Sequence, residues 1–271
     1  MSAFPITIDA TQLCNKSLLI YGDGQVQVDW FDSTVTQTFP LQPGEYKFQI
    51  GSGSFAAFNF TVTPKGLVNY DKSLNKFIEG RGTSKLTLKG LTVTLDARYI
   101  SSTVLYLIEL YEMNDHITNT TWNMLPAEYS LVVGSGQRAN FNFSLKGDGT
   151  FAYDRAYECK PNGSGGFLRG ARTPKLEFLG YPVMVDARAA GGDGVGLEDL
   201  GLPFSPSAVQ FANLLPASNY PVWYNSETNA RAVFNLELNG KISLPPEVQP
   251  PIIEVKKFHD LTLLVIAPTQ P

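Results

Sequence analysis

The sequence contains few of the residue types on which many catalytic and metal sites depend. Its 271 residues include only two cysteines, Cys14 and Cys159, and two histidines, His116 and His259, in unrelated positions. Zinc needs several His, Cys or carboxylate ligands close together, and a serine hydrolase of the α/β-hydrolase type has a G-x-S-x-G turn; neither pattern occurs. The sequence therefore predicts no metal and no cofactor, and it leaves any catalytic residue unknown.

Charge and long apolar runs are also scarce. Charged residues make up 17% of the chain, the formal net charge is −4, and Lys and Arg are scattered singly. Without a basic stripe, nucleic acid is not an expected partner. Without a run of about 18 apolar residues, membrane insertion is not expected either. The opening MSAFPITIDAT has no features of an export signal, so the expectation is a soluble, cytoplasmic protein with free thiols.

What the chain does have is an internal repeat. VTLDAR at Val93–Arg98 matches ITIDAT at Ile6–Thr11 and VMVDAR at Val183–Arg188, and LLVIAP at Leu263–Pro268 reads as a worn copy. The steps from Asp9 to Asp96 and from Asp96 to Asp186 are 87 and 90 residues. Such a period predicts three related units, over residues 1–92, 93–182 and 183–271, the last degenerate and ending in a closing strand.

Further matches keep the same register. LQPGEY, LPAEY and LPASNY end at Tyr46, Tyr129 and Tyr220, and FNF, FNF and FNL follow at Phe58–Phe60, Phe141–Phe143 and Phe234–Leu236. GRGTSKLTLKG at Gly80–Gly90 aligns with GARTPKLEFLG at Gly170–Gly180 without a gap. Equivalent residues should therefore occupy equivalent places in the fold.

The apolar period within a unit is two, which is typical of strands with one buried face. Gly- and Pro-containing turns follow at short intervals, as in PG at Pro43-Gly44 and GDG at Gly147–Gly149. This pattern predicts an all-β fold of sandwich- or barrel-like units. Val104–Asp115 is predicted to be a strand, and Ser207–Leu215 a short helix.

The Pro-Gly turn and following aromatic strand at Leu41–Tyr46 resemble a turn common in immunoglobulin-like and transthyretin-like bacterial modules. This resemblance covers six residues. It implies sandwich geometry and assigns no functional residue.

No linker separates the units, so they are expected to pack as one body. Each unit could be closed by the opening strand of the next one. A pseudo-threefold closed arrangement would place the last strand beside Ile6–Ala10 and hide sheet edges. An open row of units remains the alternative, and the oligomeric state is open as well.

Two repeated polar motifs have a functional and a structural interpretation. Asp96 with Arg98, and Asp186 with Arg188, could supply a general base and an anion clamp, but a carboxylate at a strand end is more often a brace. The Tyr-Asp pairs beginning at Tyr70 and Tyr153 could hold a ligand, but recurrence at equivalent hairpin ends favours turn capping. We favour the structural interpretation for both.

Residues that do not recur are the better binding candidates. The ligand-binding prediction comprises Trp30, Trp122 and Trp223, which lie at non-equivalent places, and the acidic residues Asp193, Glu198 and Asp199 of the glycine-rich stretch 189–207. Tryptophan rings stack on sugars and other flat ligands. The leading prediction is a non-enzymatic protein that binds carbohydrate or another small flat ligand. The alternatives are a cofactor-independent enzyme with an Asp, Tyr or His pocket between units, and a structural or assembly protein.

Overall fold

A computed structural model describes residues 2–14, 17–22, 27–32, 35–50, 57–101, 105–107, 119–133, 141–160, 165–188, 195–197, 202–204, 207–224, 230–245, 253–258 and 261–266. Nearly all regular structure in these residues is β-strand, arranged in six separate sheets. The described residues contain no α-helix, and two short 3₁₀ turns occur at Lys72–Lys76 and Arg155–Tyr157. The prediction of an all-β fold is confirmed.

The strands form three successive pairs of sheets. The first pair contains β1 Phe4–Asp9, β2 Ser17–Tyr21, β3 Gln27–Asp32, β4 Thr36–Leu41, β5 Gly44–Ile50, β6 Ala57–Val62, β7 Val68–Tyr70, β8 Ile78–Glu79 and β9 Lys85–Leu88. The second contains β10 Leu91–Asp96, β11 Leu105–Leu107, β12 Asn119–Met124, β13 Ala127–Val133, β14 Phe141–Leu145, β15 Phe151–Tyr153, β16 Leu168–Arg169 and β17 Lys175–Phe178. The third contains β18 Tyr181–Asp186, β19 Val195–Leu197, β20 Leu202–Phe204, β21 Val209–Leu214, β22 Ala217–Tyr224, β23 Ala230–Leu236, β24 Ile242–Ser243, β25 Ile253–Phe258 and β26 Leu261–Ile266.

Each pair repeats one strand order. One sheet runs β4-β1-β9-β8, then β12-β10-β17-β16, then β21-β18-β26-β25. Its opening strand lies between an antiparallel neighbour and a parallel strand that comes from the end of the same pair. The other sheets run β3-β2-β5-β6-β7, β11-β13-β14-β15 and β20-β19-β22-β23-β24. Each pair thus supplies its own closing strand.

This order corrects the prediction that a unit is closed by its neighbour's opening strand. The last strand, β26, pairs with β18 and β25, whereas β1 pairs with β4 and β9. The last strand therefore does not pair with Ile6–Ala10. The LLVIAP segment is equivalent to β9 and β17, and it is not a degenerate opening strand. The two kinds of strand look alike because buried neighbours in one sheet share the same short apolar alternation.

The core follows from that alternation. Ile6 and Ile8 of β1 are buried, and they join Phe48 and Phe60 of the opposite sheet in one cluster. The apolar cluster of the second sheet pair continues without a break into the third. Leu125, from the second pair, packs into the core of the first. The three pairs therefore form one packed body, as predicted.

A tyrosine marks the same place in every pair. The hydroxyls of Tyr46, Tyr129 and Tyr220 donate hydrogen bonds of 2.8, 2.6 and 2.5 Å to the carbonyls of Gln42, Leu125 and Leu215. A buried phenol requires such an acceptor. The repeated tyrosine is consequently a structural residue in each sheet pair.

The tyrosine rings also fix the register of the FNF segments. Tyr46 stacks on Phe60 at 5.4 Å, Tyr129 on Phe143 at 5.8 Å and Tyr220 on Phe234 at 5.1 Å between ring centroids. Phe234 is therefore equivalent to Phe60. The sequence match of FNL with FNF is displaced by two residues, which leaves the inward face unchanged because strands repeat every two residues.

Successive pairs are joined by one recurring asparagine contact. The amide of Asn123 donates to the carbonyl of Gln12 at 3.2 Å, and that of Asn213 donates to the carbonyl of Tyr99 at 2.9 Å. Each acceptor lies in the loop that follows the opening strand of the preceding pair. The contacts between pairs are therefore repeated, like the pairs themselves.

The short helix predicted near Ser207–Leu215 is wrong. Strand β21 covers Val209–Leu214 and pairs with β18 along six residues. Ala212 and Leu214 are buried, whereas Phe211 before them is exposed and Asn213 between them is partly exposed, which is the period of a strand. Within the predicted strand Val104–Asp115, β11 covers Leu105–Leu107, and residues 108–118 lie outside the described residues.

Candidate functional site

The aspartates that end the opening strands have equivalent surroundings in the first two pairs. Asp9 accepts hydrogen bonds from the Thr11 hydroxyl at 2.8 Å and from Lys85 Nζ at 2.8 Å. Asp96 contacts Lys175 Nζ at 2.9 Å, and Lys175 occupies the position of Lys85. The Lys85 ammonium and the Thr11 hydroxyl lower the pKa of Asp9 to about 2.

Arginine extends this arrangement in the second and third pairs. Arg98 binds both carboxylate oxygens of Asp96, with its Nε at 2.9 Å and its Nη2 at 2.7 Å, and Arg188 binds Asp186 at the same two distances. The Asp96 side chain is completely buried, and the Arg98 guanidinium holds its pKa well below the usual range. A permanently ionised, fully engaged carboxylate is a poor general base. The predicted bracing role is confirmed.

The Tyr-Asp pairs cap turns. Asp71 accepts the backbone N–H of Ser73 at 2.8 Å, and Asp154 accepts that of Ala156 at 2.8 Å, and each carboxylate begins a short 3₁₀ turn. This is the ordinary role of an aspartate at a helix start. The prediction of turn capping is confirmed.

The turn that follows the Tyr-Asp pair differs between the first two sheet pairs. In the first pair it reads Arg81-Gly82, and the Arg81 Nε donates to the carbonyl of Tyr70 at 2.9 Å. In the second pair the equivalent residues are Ala171-Arg172. The guanidinium is thus displaced by one residue, and alanine occupies the position from which Arg81 reaches the tyrosine.

The backbone of the two turns is the same. The N–H of Gly82 donates to the carbonyl of Val68 at 2.7 Å, and that of Arg172 donates to Phe151 at 2.8 Å. Gly82 has φ = 81° and Arg172 has φ = 64°. Arg172 therefore holds a left-handed conformation that favours glycine and strains an ordinary residue by about 1–3 kcal/mol.

A seven-residue insertion accompanies this change. Between the capping aspartate and the next common Phe, the first pair has residues 72–76 and the second has residues 155–166, twelve against five. The insertion brings Glu158 and Lys160 beside Tyr153. The hydroxyl of Tyr153 donates to the Glu158 carboxylate and accepts the N–H of Ala171 at 3.0 Å. Burial and the Glu158 charge both raise the pKa of Tyr153.

Together the insertion and the altered turn enclose a groove of about 610 Å³. Its lining consists of Ala152, Tyr153, Arg155, Glu158, Lys160, Ala171 and Arg172. Three cations and one carboxylate give the groove a formal charge of +2 in a chain whose net charge is −4. We refer to it as the cationic groove.

One residue of this groove could have been identified from the sequence. The gap-free alignment of Gly80–Gly90 with Gly170–Gly180 places Arg172 opposite Gly82, and a large charged residue opposite a turn glycine is a mismatch. Glu158 and Lys160 could not be placed in the same way, since the insertion has no counterpart in the first pair.

The predicted binding tryptophans lie on three different sheets. Trp30 is in β3 opposite Leu19, Trp122 is in β12 opposite Val93, and Trp223 is in β22 opposite Gly196. Trp122 is half-buried against the apolar core, and its Nε1 is buried without an acceptor among the described residues. The strands that carry the three tryptophans thus belong to three different sheets.

The remaining predicted site residues, Asp193, Glu198 and Asp199, lie outside the described residues, as do His116 and His259. In the part of the chain that is described, no three His, Cys, Asp or Glu side chains come together as metal ligands. Cys14 and Cys159 are not joined by a disulfide, and burial raises the pKa of the Cys14 thiol to about 12.

A second cavity of about 420 Å³ lies where the first and second sheet pairs meet. It is lined mainly by apolar and small side chains, including Phe58, Leu74, Phe77, Leu125 and Pro126. None of the described residues that line it is a carboxylate. The enzyme alternative predicts a carboxylate with a raised pKa in such a pocket. The described carboxyls with a displaced pKa, Asp9, Asp71, Asp96, Asp148 and Glu177, are all displaced downward.

The outward face of the opening sheet also differs between pairs. Thr7 faces Thr38 in the first pair and Thr94 faces Thr121 in the second, with hydroxyl oxygens 3.0 and 3.5 Å apart. At the equivalent register position the third pair has Met184 opposite Phe211. Phe211 is 63% exposed, so the third pair presents an apolar side chain where the others present hydroxyls.

Comparison with known proteins does not assign the chain to a family. No family model and no curated protein matches the chain. Among solved structures it is similar to the pilus adhesin SpaC from Lactobacillus rhamnosus GG, with 13% identity and a TM-score of 0.23, over 64% of this chain and 30% of that one. The chain thus spans less than a third of the adhesin. A similarity at this level establishes neither a shared fold nor a shared function. No helix in the described residues is long and apolar enough to cross a membrane.

Proposed function

We propose that the chain is a non-enzymatic ligand-binding protein, with carbohydrate as the first ligand class. The observation that supports this most directly is how the recurring polar residues are used. The strand-end aspartates bind cations of their own sheet pair. The hydroxyls of the repeated tyrosines donate hydrogen bonds to backbone carbonyls four or five residues earlier in the chain. Because these residues serve the scaffold, ligand contacts fall to residues that differ between pairs.

The tryptophans are such residues. Trp30, Trp122 and Trp223 occur at non-equivalent positions on separate sheets. An aromatic ring stacked on a sugar contributes mainly through apolar contact area, which suits neutral carbohydrate. Asp193, Glu198 and Asp199 remain candidates to hydrogen-bond sugar hydroxyls.

A glycan array followed by tryptophan fluorescence titration tests this function. A hit should quench or shift the fluorescence, and replacing the responsible tryptophan with Ala should weaken binding at least tenfold. Trp122→Phe is the matched control for Trp122→Ala, because the half-buried Trp122 also packs against the core. No hit on the array, together with no change in any tryptophan variant, would remove the proposal.

Assembly is a second candidate, favoured by the exposed Phe211. An apolar residue in place of a hydroxyl on an outward sheet face is typical of an interaction surface. If copies associate through this face, Phe211→Thr should convert oligomers to monomers in sedimentation velocity, while Val35→Thr, which alters a side chain 51% exposed in the first pair, should not. A wild-type monomer at high concentration would exclude this candidate.

A further inference from the structure

The geometry points to an anion-binding site in the cationic groove. We infer that it binds a small molecule bearing carboxylate groups, through Arg155, Lys160 and Arg172. None of the three tryptophans is among its described lining residues. The inference deepens the proposed function by naming an acidic ligand, and it rests on that function only for the choice of an oligosaccharide as probe.

Arg172 is an arginine with a strained backbone. Arg172 occupies a left-handed position where the first pair has Gly82. Backbone strain of this kind persists where the side chain is needed, and a mutation to glycine would remove it. The strain therefore indicates that the Arg172 side chain has a use, and this exposed side chain lines the groove.

Arg155 and Arg172 lack charge partners among the described residues. Several cations among the described residues pair with a carboxylate, as Arg98, Arg188 and Lys175 do. Arg155 and Arg172 are exposed and form no ion pair with the described residues, although both line the same groove. Two guanidinium groups that line one groove and pair with no described carboxylate form a ready recognition site for one.

Ala171 has a much smaller side chain than Arg81, its counterpart in the first pair. In the first pair the Arg81 Nε donates to the carbonyl of Tyr70, whereas in the second pair Ala171 and Tyr153 both line the groove. The cavity of about 610 Å³ is in the range of small-molecule sites. The carboxylate of Glu158 is engaged by the Tyr153 hydroxyl, which fixes it on one side of the groove.

The probe for the test is trigalacturonate, a trisaccharide with three carboxylates, and the neutral comparison is maltotriose. Isothermal titration at low ionic strength should show trigalacturonate binding at least tenfold more tightly than maltotriose. Binding should weaken several-fold in 0.5 M salt, since exposed charges are then screened. Sodium acetate as a third titrant distinguishes a site for any simple carboxylate from one that needs the oligosaccharide.

Three variants assign the binding to the groove. Arg172→Gly, which restores the residue of the first pair, should weaken trigalacturonate binding at least tenfold without lowering the melting temperature. The double variant Ala171→Arg with Arg172→Gly reproduces the first pair's turn and should fill the groove and abolish binding. Lys65→Gln removes one exposed cation outside the groove and should change affinity less than twofold.

The outcomes separate this inference from the proposed function. Binding of trigalacturonate no tighter than maltotriose, or unaffected by Arg172→Gly, would overturn the anion site. If neutral glycans still bound and responded to the tryptophan variants, the proposed function would stand without it. Conversely, the groove variants could lose trigalacturonate binding while the tryptophan variants keep the wild-type affinity for every glycan. That result would support the groove as the binding site and exclude the tryptophans.

Discussion

The turns at Gly80–Lys85 and Gly170–Lys175 share a backbone and differ in use. Both begin with a left-handed glycine, and both are pinned to the hydroxyl of the Tyr-Asp tyrosine, through the N–H groups of Arg81 and Ala171. In the first turn the arginine is folded onto the protein. In the second turn the arginine sits at a strained position and lines a groove. The comparison shows that the scaffold is common to both pairs and that the side chains placed upon it are specific to each.

Substitutions at the glycines that both turns share should have the largest effect on stability. A Cβ at Gly170 would lie 1.9 Å from the carbonyl oxygen of Lys175, and one at Gly80 would lie 1.8 Å from that of Lys85. Both sites also need positive φ. We expect Gly170→Ala and Gly80→Ala each to lower the free energy of unfolding by about 3 kcal/mol or more.

Gly82→Ala is the matched control, because a Cβ there meets nothing within 4 Å and only φ = 81° opposes it. Its expected loss is about 1 kcal/mol. Urea denaturation measures all three variants. Equal losses at Gly80 and Gly82 would show that the shared turn is less constrained than its contacts indicate.

The braces offer the next largest effect. Asp96 has a fully buried side chain and binds both Arg98 and Lys175, whereas Asp186 is 16% exposed. Because the cationic partners are about half exposed and can be hydrated, we expect Asp96→Asn to lower the unfolding free energy by about 2–3 kcal/mol and Asp186→Asn by about 1 kcal/mol. Denaturant melts of the two variants test this order. The reverse order would mean that burial of the carboxylate does not set the strength of the brace.

A smaller effect should appear in acid. The pKa of Asp9 is lowered to about 2 and that of Asp96 lies below its usual range. A carboxyl with a lowered folded-state pKa stabilises the fold above its unfolded pKa near 4 and loses that contribution as the pH falls further. The melting temperature should therefore fall between pH 4 and pH 2, with a shallower fall in Asp9→Asn. Parallel curves for wild type and Asp9→Asn would contradict the assigned pKa of Asp9.

Much of the scaffold could be predicted from the sequence because it recurs. The repeated aspartate and Tyr-Asp positions predicted equivalent braces and caps, and the period of two predicted strands throughout. Two predictions were wrong for a common reason. LLVIAP and Ser207–Leu215 were interpreted from short local patterns, but pairing partners determine which strand a segment becomes, and those partners are distant in sequence.

The cationic groove was harder to predict because its parts do not recur. Glu158 and Lys160 belong to an insertion, and Arg155 follows a common capping aspartate without any sign of where its side chain lies. Only Arg172 could be found from the alignment, since it replaces a glycine that has φ = 81° in the first pair. Unit-specific sites of this kind become visible once the shared backbone is known.

The most direct test of the division between shared scaffold and specific surface is a paired titration and melt of Arg172→Gly. Our account predicts that this variant loses at least nine-tenths of its affinity for trigalacturonate while its melting temperature stays level or rises. A variant that keeps its affinity, or that melts well below the wild type, would place Arg172 in the scaffold and contradict the account.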